Sequence, residues 1–335
     1  MDNIIEESRR KSCLNFKKVY HLTLEYIEFD KLALDLIYLT MVDINEIKRV
    51  TLQAMMKDDL LMQGLVLKGG NALQLAYDIT NRGSIDIDFS MENEFNDKDF
   101  GRLTRVFDGY LNEEFAEIGL VAYDVKFIKK PKSGSIPEWR GYNLEFKLIE
   151  REKYEKFGDD IEAIRRNAIK INEKTQETKY TVDISSYEYI GQAIKKDIDG
   201  LILRVYTPEM ILIEKIRALC QSMPQYKEIV KSARPKKRAR DLYDIWMICQ
   251  HFRNLNLTEE LFKNIFAAKR VPLNFLDNFE ILREQNREDW EVVRQTIHHD
   301  EEIKDYDYYF DYVKNIIEPF RSHEDKKDSN ENQIQ

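Results

Sequence analysis

The sequence predicts an α+β fold, a mixed sheet with flanking helices followed by an all-helical C-terminal region. Three observations predict it. An apolar run, Leu65 to Leu67, leads straight into Gly69-Gly70, as a strand ending in a tight turn does. The segment Ile85-Asp86-Ile87-Asp88-Phe89 alternates with the period of a half-buried strand. From Thr207-Pro208 onward the chain reads as helices, and Thr at an N-cap followed by Pro at the first helical position is a strong start signal.

Taken in order, residues 1–62 carry mixed charge without Pro or Gly and predict two or three amphipathic helices. Residues 64–69 predict a strand, 71–81 a helix and 85–91 the aspartate strand. A helix follows over 97–117, starting near Asn96-Asp97. Strands are expected at 119–129 and 140–149, separated by a turn-rich stretch between Pro131 and Pro137. Over 151–172 the residues Tyr154, Phe157, Ile161, Ile164, Ala168 and Ile171 recur every three or four positions, which predicts one surface helix. Strands are expected at 178–185 and 200–206, then helices over 208–320 with a polar break at 230–236 and loops near 254–257 and 270–287. The polar tail, 321–335, predicts disorder. The domain plan is thus a helical segment (1–62), a mixed core (63–206), a helical region (207–320) and the tail.

With 335 residues, 43% hydrophobic and 34% charged, the chain suits a soluble protein of one large or two modest domains. No apolar run approaches the ~18 residues of a membrane span, and the first residues lack the pattern of a signal peptide, so a cytoplasmic location without membrane attachment is expected. Cys13, Cys220 and Cys249 form no CxxC pair, which argues against a disulfide framework or a zinc site. The net charge of −9 argues against indiscriminate nucleic-acid binding. One local exception is the run Lys231, Arg234, Lys236, Lys237, Arg238 and Arg240, either a solvated loop or a phosphate-contacting surface.

On a strand, Asp86 and Asp88 share one face, about 7 Å apart, and offer hard oxygens to Mg²⁺. The glycine pair before a helix lets phosphate oxygens approach bare backbone N–H groups. A phosphate cradle beside a divalent metal points to chemistry on a nucleoside triphosphate. Asp183 on its own strand, or Glu145 on the neighbouring one, supplies a third carboxylate. Lys215 sits at the edge of an apolar arc (Leu212, Ile213, Ile216, Leu219, Cys220), where a lysine either snorkels to water or serves a ligand. Asp241 and Asp244 share a helix face and need cationic partners, with Arg240 and Lys215 the candidates. Tyr77, Tyr187 and Tyr243 lie near these motifs, and any one is placed to stack on a base.

A glycine pair, a helix of about three turns and then Asp-x-Asp on a strand resembles the DNA polymerase β-like nucleotidyltransferase superfamily. More specifically, Lys68-Gly69-Gly70-Asn71-Ala72-Leu73 with Arg82-Gly83-Ser84-Ile85-Asp86-Ile87-Asp88 resembles the first motif of the AbiEii/AbiGii toxin family. Glu214-Lys215-Ile216-Arg217-Ala218-Leu219 resembles its lysine-bearing helix, and Arg240-Asp241-Leu242-Tyr243-Asp244-Ile245 its Arg-Asp-x-x-Asp motif. Asn71 departs from the family's Thr or Ser. The resemblance implies a polymerase β-like core and transfer of NMP from an NTP to an acceptor hydroxyl. It implies two Mg²⁺ ions held by Asp86, Asp88 and Asp183, and an NTP site built from Lys68, Gly69, Gly70, Asn71, Arg82 and Ser84. Lys215 and Asp241 complete the catalytic set, with Asp244 and Arg240 in support. It also implies a toxin of a toxin–antitoxin or phage abortive-infection system with a separately encoded antitoxin. RNA, in particular the tRNA 3′ end, is then the expected acceptor, with Lys236, Lys237 and Arg238 meeting its backbone. Rival readings keep the fold with a protein or small-molecule acceptor, or make the chain an inactive NTP-binding module.

Overall fold

The computed structural model describes residues 43–79, 86–131, 136–171, 175–297 and 303–322. The chain forms two compact units, 1–49 and 50–335. Of the first, the described part is 43–49, which holds the start of helix α1 (Ile44–Met56). The rest of the helical expectation for 1–62 lies outside the described residues, apart from α2 (Asp59–Gly64), capped by the Asp58 side chain on the Leu60 N–H. The expected disordered tail also lies outside them after residue 322.

The second unit is built on a seven-stranded mixed sheet of order β3-β4-β5-β2-β1-β7-β6. Its strands are β1 (Val66–Leu67), β2 (Ile87–Ser90), β3 (Leu120–Lys130), β4 (Gly141–Glu150), β5 (Lys179–Ser185), β6 (Ile194–Ile198) and β7 (Leu201–Val205). The short β1 and β2 lie at its centre, with β2 antiparallel to β1 and parallel to β5. The longest pairing is the β3–β4 hairpin, from Leu120 opposite Glu150 to Lys130 opposite Gly141. Gly141 is required where β4 meets β5, since a Cβ there would stand 2.1 Å from the Ile184 carbonyl oxygen.

The sheet is covered by helices whose ends the sequence marks. After the turn α3 (Gly69–Asn71) comes α4 (Asp97–Ala116), whose N-cap Asn96 accepts from the Asp99 N–H. Helix α4 buries Leu103, Phe107, Leu111 and Phe115 on one stripe, and Phe107 packs on Phe127 of β3 with ring centroids 4.8 Å apart. The expected helix over 151–172 is instead two short helices, α5 (Arg151–Phe157) and α6 (Ile161–Arg166). Gly158 breaks the run with a φ of 52°, and Asp160 recaps it through the Ala163 N–H. The stripe does not survive the break: Ile164 and Ala168 are buried while Ile161 is half exposed.

Strand β6 was not foreseen. Its sequence, Ile-Lys-Lys-Asp-Ile, is the polar edge of the sheet and pairs only with β7. The C-terminal helices begin as expected with Thr207, which caps α7 (Pro208–Gln221) through the Met210 N–H. Apolar residues of α7 are buried on nearly every side, which makes it the axis of this region. The short α8 (Tyr226–Ile229) follows, then α9 (Ala239–His251) and α10 (Glu259–Ala267) pack on α7. The loop expected over 270–287 contains a 3₁₀ helix, Leu273–Ile281, that runs into α11 (Leu282–Arg287) and buries Leu276, Phe279 and Leu282. Beyond them lie α12 (Trp290–Arg294) and α13 (Tyr306–Ile317). Among the described residues no helix is long and apolar enough to cross a membrane.

Candidate active site

Three acidic residues lie near one another at the centre of the sheet. Asp88 is the second residue of β2, Asp86 immediately precedes that strand, and Asp183 of β5 stands directly opposite Asp88 in the parallel pairing. Their proximity shows in their electrostatics. Burial, reinforced by the Glu214, Asp183 and Asp86 carboxylates and opposed by Lys68, pushes the Asp88 carboxyl up to about 6. Burial likewise raises Asp86, with Asp183 and Glu177 adding to it and Lys130 and Lys179 opposing. Glu145, the alternative third acid, sits one strand further out and pairs with Lys179 at 3.3 Å. Asp183 Oδ1 accepts from Lys130 Nζ at 2.9 Å and from Asn143 Nδ2 at 2.8 Å.

The glycine turn closes over these acids. The Lys68 N–H donates to the Asp88 carbonyl at 2.9 Å, and Gly69 follows at a φ of 65°. That conformation and the lack of a side chain are both needed, because a Cβ on Gly69 would lie 3.2 Å from Asp88 Oδ2. The first bond of the turn runs from the Ala72 N–H to the Lys68 carbonyl, so the N–H groups of Gly69, Gly70 and Asn71 are first-turn donors. Asn71 is fully buried and donates its side-chain amide to the Asp86 carbonyl, which fastens the turn to the acidic strand. The helix expected over 71–81 is short and irregular. A π turn spans Ala72–Ala76, and the regular part ends at Tyr77. Arg82 and Ser84 lie outside the described residues.

Lys68 points into a buried ion cluster that was not foreseen. Its ammonium lies 3.2 Å from both Glu188 Oε1 and Glu214 Oε1. Arg217 joins the same two carboxylates at 3.0 and 3.1 Å, and Lys269 reaches Glu188 at 3.3 Å. Burial opposes the Glu188 charge, yet Arg217, Lys68 and Lys269 together hold its carboxyl well below the usual range. Burial pulls Lys269 down to about 8, against the attraction of Glu188. The only local sequence signal is the i, i+3 spacing of Glu214 and Arg217; the other partners come from distant segments.

Glu214 and Lys215 are neighbours on α7 that serve different clusters. Lys215 is buried, and its ammonium donates to Asp241 Oδ1 at 3.0 Å and Asp244 Oδ2 at 2.7 Å. Burial disfavours its charge, but those two acids more than offset this and raise its pKa. Arg238 completes the group through Asp241 Oδ2 at 3.0 Å. Lys215 and Asp241 are thus brought together as the motif spacing implied, and Asp244 joins them. Arg240 is exposed on the first turn of α9. In the basic stretch Lys237 pairs with Glu288 at 2.6 Å, whereas Lys236 is exposed with no acidic partner among the described residues. Tyr77 and Tyr243 are buried in the core, Tyr187 is half-buried and bonds Glu94, and Trp139, which the motifs did not indicate, is exposed.

Asp86, Asp88 and Asp183 supply hard oxygen donors whose mutual repulsion a divalent cation relieves, and in chemistry they fit Mg²⁺. Among the described residues no three His, Cys, Asp or Glu side chains already converge as a metal cage.

Comparison with solved structures finds JHP933 from Helicobacter pylori, at 18% identity over 82% of this chain and 89% of that one, with a TM-score of 0.43. An antigenic nucleotidyltransferase-like protein from Paracoccidioides brasiliensis matches at 15% identity over 74% and 92% of the two chains, with a TM-score of 0.35. No curated protein sequence matches the chain. The family model for the nucleotidyl transferase AbiEii toxin of type IV toxin–antitoxin systems matches residues 50–312, which include all three motifs. The chain is therefore a member of the AbiEii nucleotidyltransferase toxin family, with an NTP as substrate and an antitoxin as partner.

Proposed function

We propose that this nucleotidyltransferase moves NMP from an NTP to a terminal hydroxyl of RNA, with the tRNA 3′ end as acceptor, in the presence of Mg²⁺. The acceptor oxygen forms a bond to the α-phosphorus, the bond from that phosphorus to the bridging oxygen breaks, and pyrophosphate leaves. Asp86, Asp88 and Asp183 would hold the Mg²⁺, which when bound would neutralise charge on the leaving group and acidify the attacking hydroxyl. Asp183 orients the acceptor and takes up its proton. Gly69, Gly70 and Asn71 present backbone N–H groups to the triphosphate, with Arg82 and Ser84 as further donors.

Lys215 has three N–H donors, of which Asp241 and Asp244 take two. The third is left for a phosphate oxygen, which makes Asp241 a positioning residue for Lys215. Lys68 acts from beneath the site: its pairing with Glu188 and Glu214 fixes the entry to the glycine turn. The core of 63–206 would carry the metal strand and the helical region of 207–320 the lysine and its acids. The toxin would act in the cytoplasm in a toxin–antitoxin or phage abortive-infection system, with an antitoxin that represses transcription and need not bind it stably.

The observation that carries this reading is the like-charge pair Asp86 and Asp88 beside Asp183, under a glycine turn whose positive φ and close approach to Asp88 disfavour a side chain. The test is incubation with total bacterial RNA, Mg²⁺ and each α-³²P-labelled NTP, with Asp86→Ala in parallel. Label in a tRNA-sized band only with intact Asp86 is expected. Absence of label in RNA with all four NTPs contradicts the RNA-acceptor reading.

A further inference from the structure

A cavity of about 220 Å³ opens between the C-terminal half of α7, the basic loop that precedes α9, and the 3₁₀ turn Pro137–Trp139. Its wall includes Trp139, Gln221, Ser222, Arg234, Lys236 and Arg238. Trp139 is 43% exposed, unusual for so large an apolar side chain. It is also fixed: its ring lies against Tyr226, centroids 6.1 Å apart, and Tyr226 is fully buried with its hydroxyl donating to the Lys269 carbonyl at 2.6 Å. One part of the indole is held by the core while the rest remains accessible.

The basic wall is also held in place. The Arg238 N–H donates to Asn286 Oδ1 at 2.6 Å, and Lys237 is tied to Glu288, so the C-terminal end of the loop is anchored on α11 and the residue that follows it. Arg234 and Lys236 remain exposed and have no acidic partner among the described residues, in a chain of net charge −9. Two unneutralised cations beside an accessible indole provide what a nucleotide offers surfaces for: a π face and a phosphate. The volume is below the roughly 300–1,000 Å³ of pockets that enclose drug-sized ligands, so a nucleotide would be held against this wall on one side and not enclosed, and a duplex would not enter. Arg238 lines the cavity and also bonds Asp241, which holds Lys215, so the cavity adjoins the catalytic group.

We propose that this cavity is a nucleotide subsite in which Trp139 stacks on a base and Arg234 and Lys236 hold the adjoining phosphate. The inference rests on the nucleotidyltransfer reading and deepens it. The nucleotide comes either from the end of the RNA acceptor or from the NTP, and both present the same base-plus-phosphate chemistry.

Direct binding separates the sources and does not require turnover. Full-length protein is titrated against a fluorescently labelled single-stranded RNA and, separately, against each of the four NTPs. The proteins compared are wild type, Trp139→Ala, Trp139→Phe and Arg234→Gln/Lys236→Gln, each checked for an unchanged melting temperature. Loss of stacking weakens binding by about tenfold in Trp139→Ala, and Trp139→Phe restores most of it. The double variant binds more weakly and with a shallower dependence on salt. A loss confined to RNA makes the cavity the acceptor's seat, and a loss confined to NTP makes it the donor's. Unchanged affinity for both ligands in Trp139→Ala overturns the proposal, as does absence of binding by the wild type. Failure of label transfer alongside a Trp139-dependent affinity would remove the catalytic reading and leave the subsite standing.

Discussion

Two charge clusters adjoin the glycine turn and are built on opposite principles. Around Glu188, four buried groups and the half-buried Glu214, of opposite sign, interlock, and the Glu188 carboxyl is held well below its ordinary range. Around Asp88, groups of like sign are gathered on adjacent strands, and the Asp88 carboxyl is pushed up to about 6. Lys68 attracts the Asp88 carboxylate and offsets its burial only in part, because its ammonium bonds Glu188 and Glu214. A paired cluster holds elements together. A cluster of like charges, which Lys130 and Lys68 offset only in part, is the kind of arrangement that a cationic ligand relieves.

The largest expected effect comes from breaking the paired cluster. Glu188→Ala leaves Lys269 without its acid and Lys68 and Arg217 sharing Glu214 alone in a dry setting, and a loss of roughly 3–5 kcal/mol is expected in urea unfolding. An unchanged midpoint would mean that water already screens these cations.

The next effect has the opposite sign. Asp88 has a folded-state pKa above its unfolded value of 3.8, so its contribution is present below about pH 4 and lost as pH rises through about 6. Asp88→Asn removes that strain. Without added Mg²⁺ it should therefore raise stability at pH 7 by about 1–3 kcal/mol and converge on wild type near pH 4. The pH dependence of the melting temperature reads this directly.

The smallest effect belongs to an exposed pair. Lys237→Gln removes the Glu288 contact on the surface, and the melting temperature should not move. A measurable fall would show that the basic loop is anchored mainly by charge and not by the Arg238 N–H bond to Asn286.

The acidic strand was legible because its chemistry is written in alternation over five residues, and the start of α7 because Thr207 and Pro208 are adjacent. Asp183 was legible as a strand residue, and it stands opposite Asp88 while Glu145 lies one strand further out. The ion cluster was not legible, since Lys68, Glu188 and Lys269 are far apart in sequence and meet only through the fold. Helix 151–172 misled because its apolar spacing continues across Gly158, whose φ of 52° ends one helix before Asp160 starts another. Strand β6 and the 3₁₀ helix Leu273–Ile281 were missed because the first carries an edge strand's polar sequence and the second has no sustained helical period.

The most direct test of the central claim is a paired measurement on Asp88→Asn, reading melting temperature at pH 7 without Mg²⁺ and label transfer to RNA with it. The account predicts a variant that melts higher and transfers nothing. A variant that melts lower than wild type while retaining transfer would contradict it, and would place Asp88 among the groups that hold the fold together.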